Sequence, residues 1–290
     1  MRKFNYLVPK TLDEAVSLHE SYGEKAKYIA GGTDVLVKIK EGKLKPDYLI
    51  SLKHIPDQDG PIVNHETGEL IIGAYATHRS IEKSSTVRLN YPILHDAVSN
   101  IGSVQIRNVA TIGGNLVNAV PSADGAIPLI TLDAKAHIYG TKGQRTMELR
   151  RFFLGPGQCD LDRGEILTRL VIPAPAPRTG GAYVKHGRRS AMELPMLGAG
   201  VLLSLEEDMA TCAKARICLG VAAPTPLRCI QAEKYLVGKF IDENSLAEAG
   251  KVAAEESKVR DSIRGVAWYR REMVGVLVKR MGLKALERAK

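Results

Sequence analysis

Apolar residues along this chain follow two periods, that of a helix and that of a strand, and glycine or proline marks most of the switches. Leu12, Ala15, Val16 and Leu18 fall on one helical face behind "TLDE", a capping box with Thr11 at the N-cap and Glu14 three positions on. A helix over residues 11–22 is predicted, ending at Gly23. Lys27 to Ala30 reads as a strand, Gly31-Gly32 as a tight turn, and the next stretch as a short helix capped by Thr33 and closed by Gly42. "DYLISL" and "ELIIGAYAT" are further strands, the second with a glycine that suggests a bulge. Residues 92–101 have a helical pattern, with Pro92 in the first turn and Gly102 just past the end.

"ADGAIPLITLDA" reads as a short helix limited by Pro128. "AHIYGTKGQRTMEL" reads as a hairpin turning at Gly140 to Gly143, and "GEILTRLVIP" as a strand. "PAPAPRTGG", residues 173–181, is extended and punctuated by proline, and it is the best boundary between domains. Beyond it "AYVKH", "GAGVLLSLEED" and "TCAKARICLGVAA" are strand-like, the last two joined near Glu207-Asp208. Helical runs close the chain around 230–237, 244–258 and 266–289. Strand runs followed by helix runs predict an α+β fold, not a doubly wound parallel sheet.

The 290 residues leave room for one large domain or two to three smaller ones. Lys plus Arg outnumber Asp plus Glu by 41 to 32, a net charge of +9, which raises the question of a polyanionic partner. The basic residues are spread out, however, and no aromatic-interleaved basic motif occurs. Only the last 30 residues are enriched, from Arg260 and Arg264 through Arg270, Arg271 and Arg280 to Arg288. That reads as a solvated or partner-docking helical face, with no nucleic-acid site expected. Cys159, Cys212, Cys218 and Cys229 form no C-x-x-C pair, so neither zinc nor an iron–sulfur cluster is indicated. The N-terminal "MRKFNYLVPKTLDEA" lacks the apolar core of a signal peptide, and no apolar run approaches the ~20 residues of a membrane span. A cytoplasmic chain with buried thiols is expected.

The candidate chemistry lies in two glycine loops, "IAGGTD" (Ile29 to Asp34) and "TIGGN" (Thr111 to Asn115). A single Gly-Gly is ordinarily just a turn. Here each pair is followed by a hydroxyl or amide side chain and a predicted helix, the makings of a nest of backbone N–H groups around an anion. Neither loop has the lysine of a Walker motif or the G-x-G-x-x-G spacing of a dinucleotide fold. A neutral, backbone-lined cradle suits a resident diphosphate better than a transferred phosphate. Asp124 reads equally as a helix cap, a surface carboxylate or an acceptor for sugar hydroxyls. The seven histidines form no triad or H-x-x-x-H pattern, and no acid–base constellation emerges.

"YIAGGTDVLVKIKEG" with "QIRNVATIGGNLVNAVPSAD" resembles the flavoprotein (medium) subunit of the molybdenum hydroxylases, the family of xanthine dehydrogenase and aerobic carbon monoxide dehydrogenase. "GEILTRLVIP", "AYVKHGRRSAMELPMLGAGVLL", "ARICLGVAAPTPLR" and "AWYRREMVGVLVKR" continue the resemblance in the same order to the C-terminus. It implies a vanillyl-alcohol-oxidase (PCMH)-type FAD domain over residues 1–175, in two parts dividing near residue 55. A smaller α+β domain of antiparallel sheet plus helices follows over 176–290. By position, it implies FAD contacts at Tyr28, Ile29, Ala30, Gly31, Gly32, Thr33, Asp34 and Val35. A second set follows at Thr111, Ile112, Gly113, Gly114 and Asn115. Ile101 would pack near the cofactor and Asp124 would bind a sugar hydroxyl. Leu167 and Lys185 would stand beside the isoalloxazine, with His186 the one histidine nearby. Some relatives carry a tyrosine over the flavin where this chain has Met192, Glu193 and Leu194. The absence of a cysteine-rich loop sets it apart from the 4-hydroxybenzoyl-CoA reductase type.

The implied function is electron transfer. FAD here would collect electrons from a small subunit with two [2Fe–2S] clusters, fed by a molybdenum-cofactor large subunit in a dimer of heterotrimers. It would then pass them to an external acceptor. Two other readings stand beside it, a standalone flavin oxidase or reductase and a non-enzymatic basic binding module. Lys185 would favour the anionic reduced flavin electrostatically.

Overall fold

A computed structural model describes residues 3–56 and 60–290. Residues 1, 2 and 57–59, the start of the chain and the segment just past the expected division near residue 55, lie outside that description.

The N-terminal part is built from β1 (Asn5–Leu7), α1 (Leu12–Tyr22), β2 (Ala26–Ile29), α2 (Val35–Lys40) and β3 (Tyr48–Ser51). The three strands form a parallel sheet in the order β1-β3-β2. Thr11 caps α1 as expected, its Oγ1 accepting the Glu14 N–H at 3.1 Å. The Glu14 carboxylate returns a bond to the N–H of Lys10, one residue before the cap.

The middle part contains β4 (Pro61–Val63), β5 (Leu70–Gly73) and a run of short helices: α3 (His78–Lys83), α4 (Ser85–Asn90), α5 (Pro92–Val98), α6 (Val104–Arg107), α7 (Ile112–Val117) and α8 (Ala126–Thr131). β6 (Lys135–Gly140), β7 (Gly143–Glu148), β8 (Phe153–Gly155), β9 (Gln158–Cys159) and β10 (Ile166–Ile172) follow. A five-stranded antiparallel sheet has the order β4-β5-β10-β6-β7. β10 runs through its centre, so "ILTRLVI" is buried at every position except Arg169. The register slips between Leu167 and Arg169, a bulge of the kind that re-aims a side chain.

The C-terminal part comprises β11 (Thr179–His186), β12 (Leu197–Leu205), β13 (Cys212–Gly220) and β14 (Leu227–Arg228), then α9 (Ile230–Leu236), α10 (Glu243–Glu256) and α11 (Ala267–Ala289). The strands form an antiparallel sheet in chain order. All nine residues of β12 are buried, because α11 covers one face of the sheet while α5 and α8 press on the other. That double cover explains an apolar run with no alternation. α11 contributes Val274, Leu277, Val278 and Ala285 at helical spacing.

Charged side chains tie this sheet to the middle part. Asp96 on α5 receives two bonds from the Arg288 guanidinium, at 2.7 and 3.1 Å. Asp133 pairs with Arg216 and Arg228 at 2.8 and 3.1 Å. The basic C-terminal run is therefore only partly a solvated face: Arg288 ties α11 to α5, and Arg270 is buried. No helix among the described residues is long and apolar enough to cross a membrane.

Candidate functional site

A cleft of about 680 Å³ opens between the N-terminal sheet and the middle part, within the size range of small-molecule and cofactor sites. Most of its walls come from the β2–α2 turn, the segment through α6 and α7, and the chain from β9 to β10, with His19 of α1 and Tyr75 and His78 after β5 adding to them.

At the first glycine loop, β2 ends at Ile29 and α2 begins at Val35. Asp34, not Thr33, takes the N-cap position, and it makes no side-chain cap bond. Thr33 was the expected cap, but it lies one residue too early and lines the cleft. The N–H groups of Gly31, Gly32, Thr33 and Asp34 make no hydrogen bond within the described chain. Gly31 is required by a close approach, since a Cβ there would stand 2.0 Å from the Val109 carbonyl oxygen. The first loop is thus pressed against the backbone of Val109 and Ala110, just ahead of the second loop and nearly eighty residues away in sequence.

The second loop differs from the expected nest. Its glycines lie inside the first turn of α7, where Thr111 is the N-cap and its Oγ1 accepts the Gly114 N–H at 3.1 Å. The N–H groups of Ile112, Gly113 and Asn115 go to the carbonyls of Ala76, Ala74 and Thr111 at 3.0, 2.8 and 3.0 Å. All four donors are committed inside the protein. Gly113 packs against the chain after β5, where a Cβ would come within 2.7 Å of the Ala74 Cβ. The first loop therefore carries four uncommitted backbone donors, while in the second only the Thr111 N–H makes no hydrogen bond among the described residues. Across the rim, Asn118 accepts from Lys38 Nζ at 2.7 Å and donates to Asp34 at 2.9 Å, bridging the two walls.

Thirteen of the seventeen expected contacts line this cleft: Tyr28, Ala30 to Val35, Ile101, Thr111, Gly113 to Asn115, and Leu167. Four do not. Ile29 and Ile112 point into the core. Asp124 and Lys185 form a buried ion pair at 2.9 Å where β11 meets the middle part. The Tyr183 hydroxyl donates to the other Asp124 oxygen at 2.6 Å, and Lys185 Nζ donates to the Asn100 carbonyl at 3.1 Å, one residue from Ile101. Burial pushes the Asp124 carboxyl up, against the opposing pull of Lys185 and Tyr183. Beside this junction Met192, at positive φ, bonds the Gly102 carbonyl through its N–H, and Met192 and Leu194 remain exposed.

The cleft also holds side chains that the sequence did not single out: His19, Lys27, Lys38, Tyr75, His78 and Arg163. His19 stacks on Tyr28 with ring centroids 4.8 Å apart, and the Tyr28 hydroxyl donates to the Gly164 carbonyl at 3.0 Å. His186, expected beside the flavin, instead lies against Tyr269 and is not part of the wall. Burial, with the Arg107 guanidinium adding to it, pulls the His78 imidazole down to about 4, so it is neutral. The expected lack of lysine in the loops holds within their own sequence. Lys27, Lys38 and Arg163 bring positive charge from elsewhere in the chain.

These features suit FAD. A run of unpaired N–H groups with basic side chains nearby accommodates a diphosphate. Apolar walls and aromatic rings accommodate the ring systems, and buried polar atoms without partners remain for the cofactor to satisfy. Similar proteins point to the same cofactor. Residues 2–175 match the family described as the FAD binding domain in molybdopterin dehydrogenase, and residues 182–285 match the CO dehydrogenase flavoprotein C-terminal domain. The chain is 31% identical to the xanthine dehydrogenase FAD-binding subunit of Escherichia coli O157:H7 over 96% of its own length and 94% of the relative's. It is 32% identical to the carbon monoxide dehydrogenase medium chain of Afipia carboxidovorans, over 99% and 98%. Among solved structures, a carbon monoxide dehydrogenase from Hydrogenophaga pseudoflava superposes with a TM-score of 0.93 at 31% identity, covering 99% of this chain and 98% of that one. The cleft, the order of its sheets and these matches place the chain in the family of FAD-binding medium subunits of the molybdenum hydroxylases, as their FAD-binding electron-transfer subunit.

Proposed function

We propose that this chain relays electrons from the two [2Fe–2S] clusters of a small partner subunit to an external acceptor, within a cytoplasmic dimer of heterotrimers completed by a molybdenum-cofactor large subunit. The observation that carries this reading is the cleft itself: a diphosphate-sized run of free N–H groups, Gly31 to Asp34, facing walls built for a resident cofactor. Relatives described as FAD subunits of xanthine and nicotinate dehydrogenases, and as medium chains of carbon monoxide dehydrogenases, are by those descriptions single subunits of larger enzymes, which supports this reading. Four free cysteines suit a reducing compartment.

FAD, when bound, would supply one-electron redox chemistry. The protein's part is to bind, orient and shield it. The first loop would hold the diphosphate through the N–H groups of Gly31 to Asp34, with Thr33 adding a hydroxyl. The segment just ahead of the second loop would keep the first loop in place through the Gly31–Val109 contact. Tyr28 is locked by its bond to Gly164, and Leu167 at the β10 bulge and Ile101 give apolar walls that keep water from the ring. Asp124 and Lys185 would act through the junction behind Ile101, since Lys185 holds the Asn100 carbonyl. The exposed turn at Met192 to Leu194 lies against Gly102 and offers an approach for the acceptor.

The test is purification of the tagged chain from its own host, followed by assay of flavin, iron and molybdenum. Co-purification of FAD with iron and molybdenum supports the relay. A yellow chain that turns over a small substrate with no metal-bearing partner supports a standalone flavin enzyme and overturns it.

A further inference from the structure

Buried polar groups in folded proteins nearly always find hydrogen-bond partners, and each exception calls for a cause. Among the described residues three buried side-chain atoms lack one: Tyr75 Oη, His78 Nδ1 and Arg270 Nε. Two of the three sit three residues apart, Tyr75 on the loop after β5 and His78 at the start of α3, and both residues line the cleft. Neither is among the contacts that the sequence resemblance supplies.

The stretch from β5 into α3 that carries them is pinned on both sides. Ala74 and His78 donate their N–H groups to the Thr168 and Ala110 carbonyls at 2.8 and 2.9 Å. The Ala74 and Ala76 carbonyls in turn accept from Gly113 and Ile112 of the second glycine loop. Both atoms are buried, and this backbone network fixes the positions from which their side chains reach into the cleft wall. A pinned stretch with two orphaned polar atoms is incomplete by itself and complementary to a ligand that presents both acceptors and donors.

We infer that Tyr75 and His78 are hydrogen-bonding contacts of the bound FAD, satisfied only when the cofactor fills the cleft. Tyr75 serves as a donor, because burial raises its phenol well above the ordinary value and keeps it protonated. His78 is neutral, so it contributes a hydrogen bond without adding charge beside the flavin. The phosphate oxygens, ribityl hydroxyls and ring heteroatoms of FAD offer matching groups. The inference rests on FAD occupying this cleft.

Tyr75→Phe removes only the hydroxyl, and His78→Leu removes the imidazole nitrogens. Fluorescence titration of the stripped chain with FAD is expected to show affinity falling about 3- to 10-fold for each variant. His78→Asn, whose amide restores a polar atom near Nδ1, should recover most of the loss. Denaturation of the FAD-free chain supplies the second readout. Removing an orphaned polar group should leave its stability unchanged or raise it. Wild-type FAD affinity in Tyr75→Phe and His78→Leu would mean that water, not the cofactor, satisfies these atoms. Destabilisation of the FAD-free chain in step with the affinity loss would make the role structural. Either result overturns the inference while leaving FAD binding intact. A wild-type chain that takes up no FAD at all overturns the cleft assignment beneath it.

Discussion

Gly31→Ala probes the contact on which the cofactor cradle depends. Gly31 lies outside the left-handed region, so backbone conformation does not oppose alanine there. What opposes it is space. The new Cβ would stand 2.0 Å from the Val109 oxygen and 2.8 Å from the Val109 carbon. Non-bonded heavy atoms settle at about 3.5 Å or more, so the first loop and the Val109 backbone must part by roughly 1.5 Å. Both obstacles are backbone, and neither can rotate away. Overpacking of this kind costs about 1–3 kcal/mol of stability. The same displacement moves the N–H groups of Gly31 to Asp34, and losing even one bond to a charged phosphate forfeits about 2 kcal/mol, roughly 30-fold in affinity. Gly42→Ala is the control. Gly42 closes α2 at a φ of 70° with nothing within 4 Å of its would-be Cβ. Alanine there meets only left-handed strain, about 1 kcal/mol, and should leave FAD binding alone. Thermal denaturation and FAD titration of both variants separate the two effects. Wild-type FAD affinity in Gly31→Ala would refute the idea that the Gly31–Val109 contact shapes the site.

Lys185→Met leaves Asp124 buried at the junction with only Tyr183 for company, and it should cost about 3–5 kcal/mol in denaturant unfolding. Adding Asp124→Asn should restore much of that, and a single-variant loss below about 1 kcal/mol would contradict the pairing. Any change in flavin potential in Lys185→Met must then be measured on folded protein. His78 binds a proton near 6.5 when unfolded and only near 4 when folded, so the unfolded chain carries more protons in that window. Stability of the FAD-free chain should therefore fall as pH drops from 6.5 toward 4, by on the order of 3 kcal/mol, and His78→Leu should flatten that slope. An unchanged slope would show that the imidazole is not buried and neutral. Thiol reagents should modify Cys159, half-buried on the cleft wall, and spare Cys212 and Cys218, whose thiols burial pushes up to about 11 and about 12. FAD should slow the Cys159 reaction; labelling that ignores FAD would place the cofactor elsewhere.

Local signals in the sequence were dependable where one segment decides its own structure. The Thr11 cap, the Gly140 to Gly143 hairpin and the apolar stripe of α11 all follow from neighbours a few residues apart. The short helices α3, α4 and α6 escaped notice because four to six residues carry too little periodicity to register. Pro128 did not prevent α8, since it lies in the first turn where its missing N–H is not needed. The glycine loops were found, but their division of labour was not. Whether a loop N–H is free or committed depends on Ala74 and Ala76, which only folding brings beside it. Tyr75 and His78 gave no signal for the same reason: their lack of partners is a property of three dimensions. The C-terminal basic run read as surface, whereas Arg288 finds its carboxylate on Asp96, nearly two hundred residues away.

The relay itself is tested most directly by watching the visible flavin band in two preparations: the isolated, FAD-loaded chain and the native complex with its iron–sulfur and molybdenum subunits. Each is exposed anaerobically to a panel of purines, nicotinate, aldehydes and carbon monoxide. The expected result is that no member of the panel bleaches the flavin of the isolated chain. The one that reduces the complex should bleach its iron–sulfur absorbance no later than its flavin. Bleaching of the isolated chain by any of them, or flavin reduction that precedes the clusters in the complex, would contradict the role of electron relay.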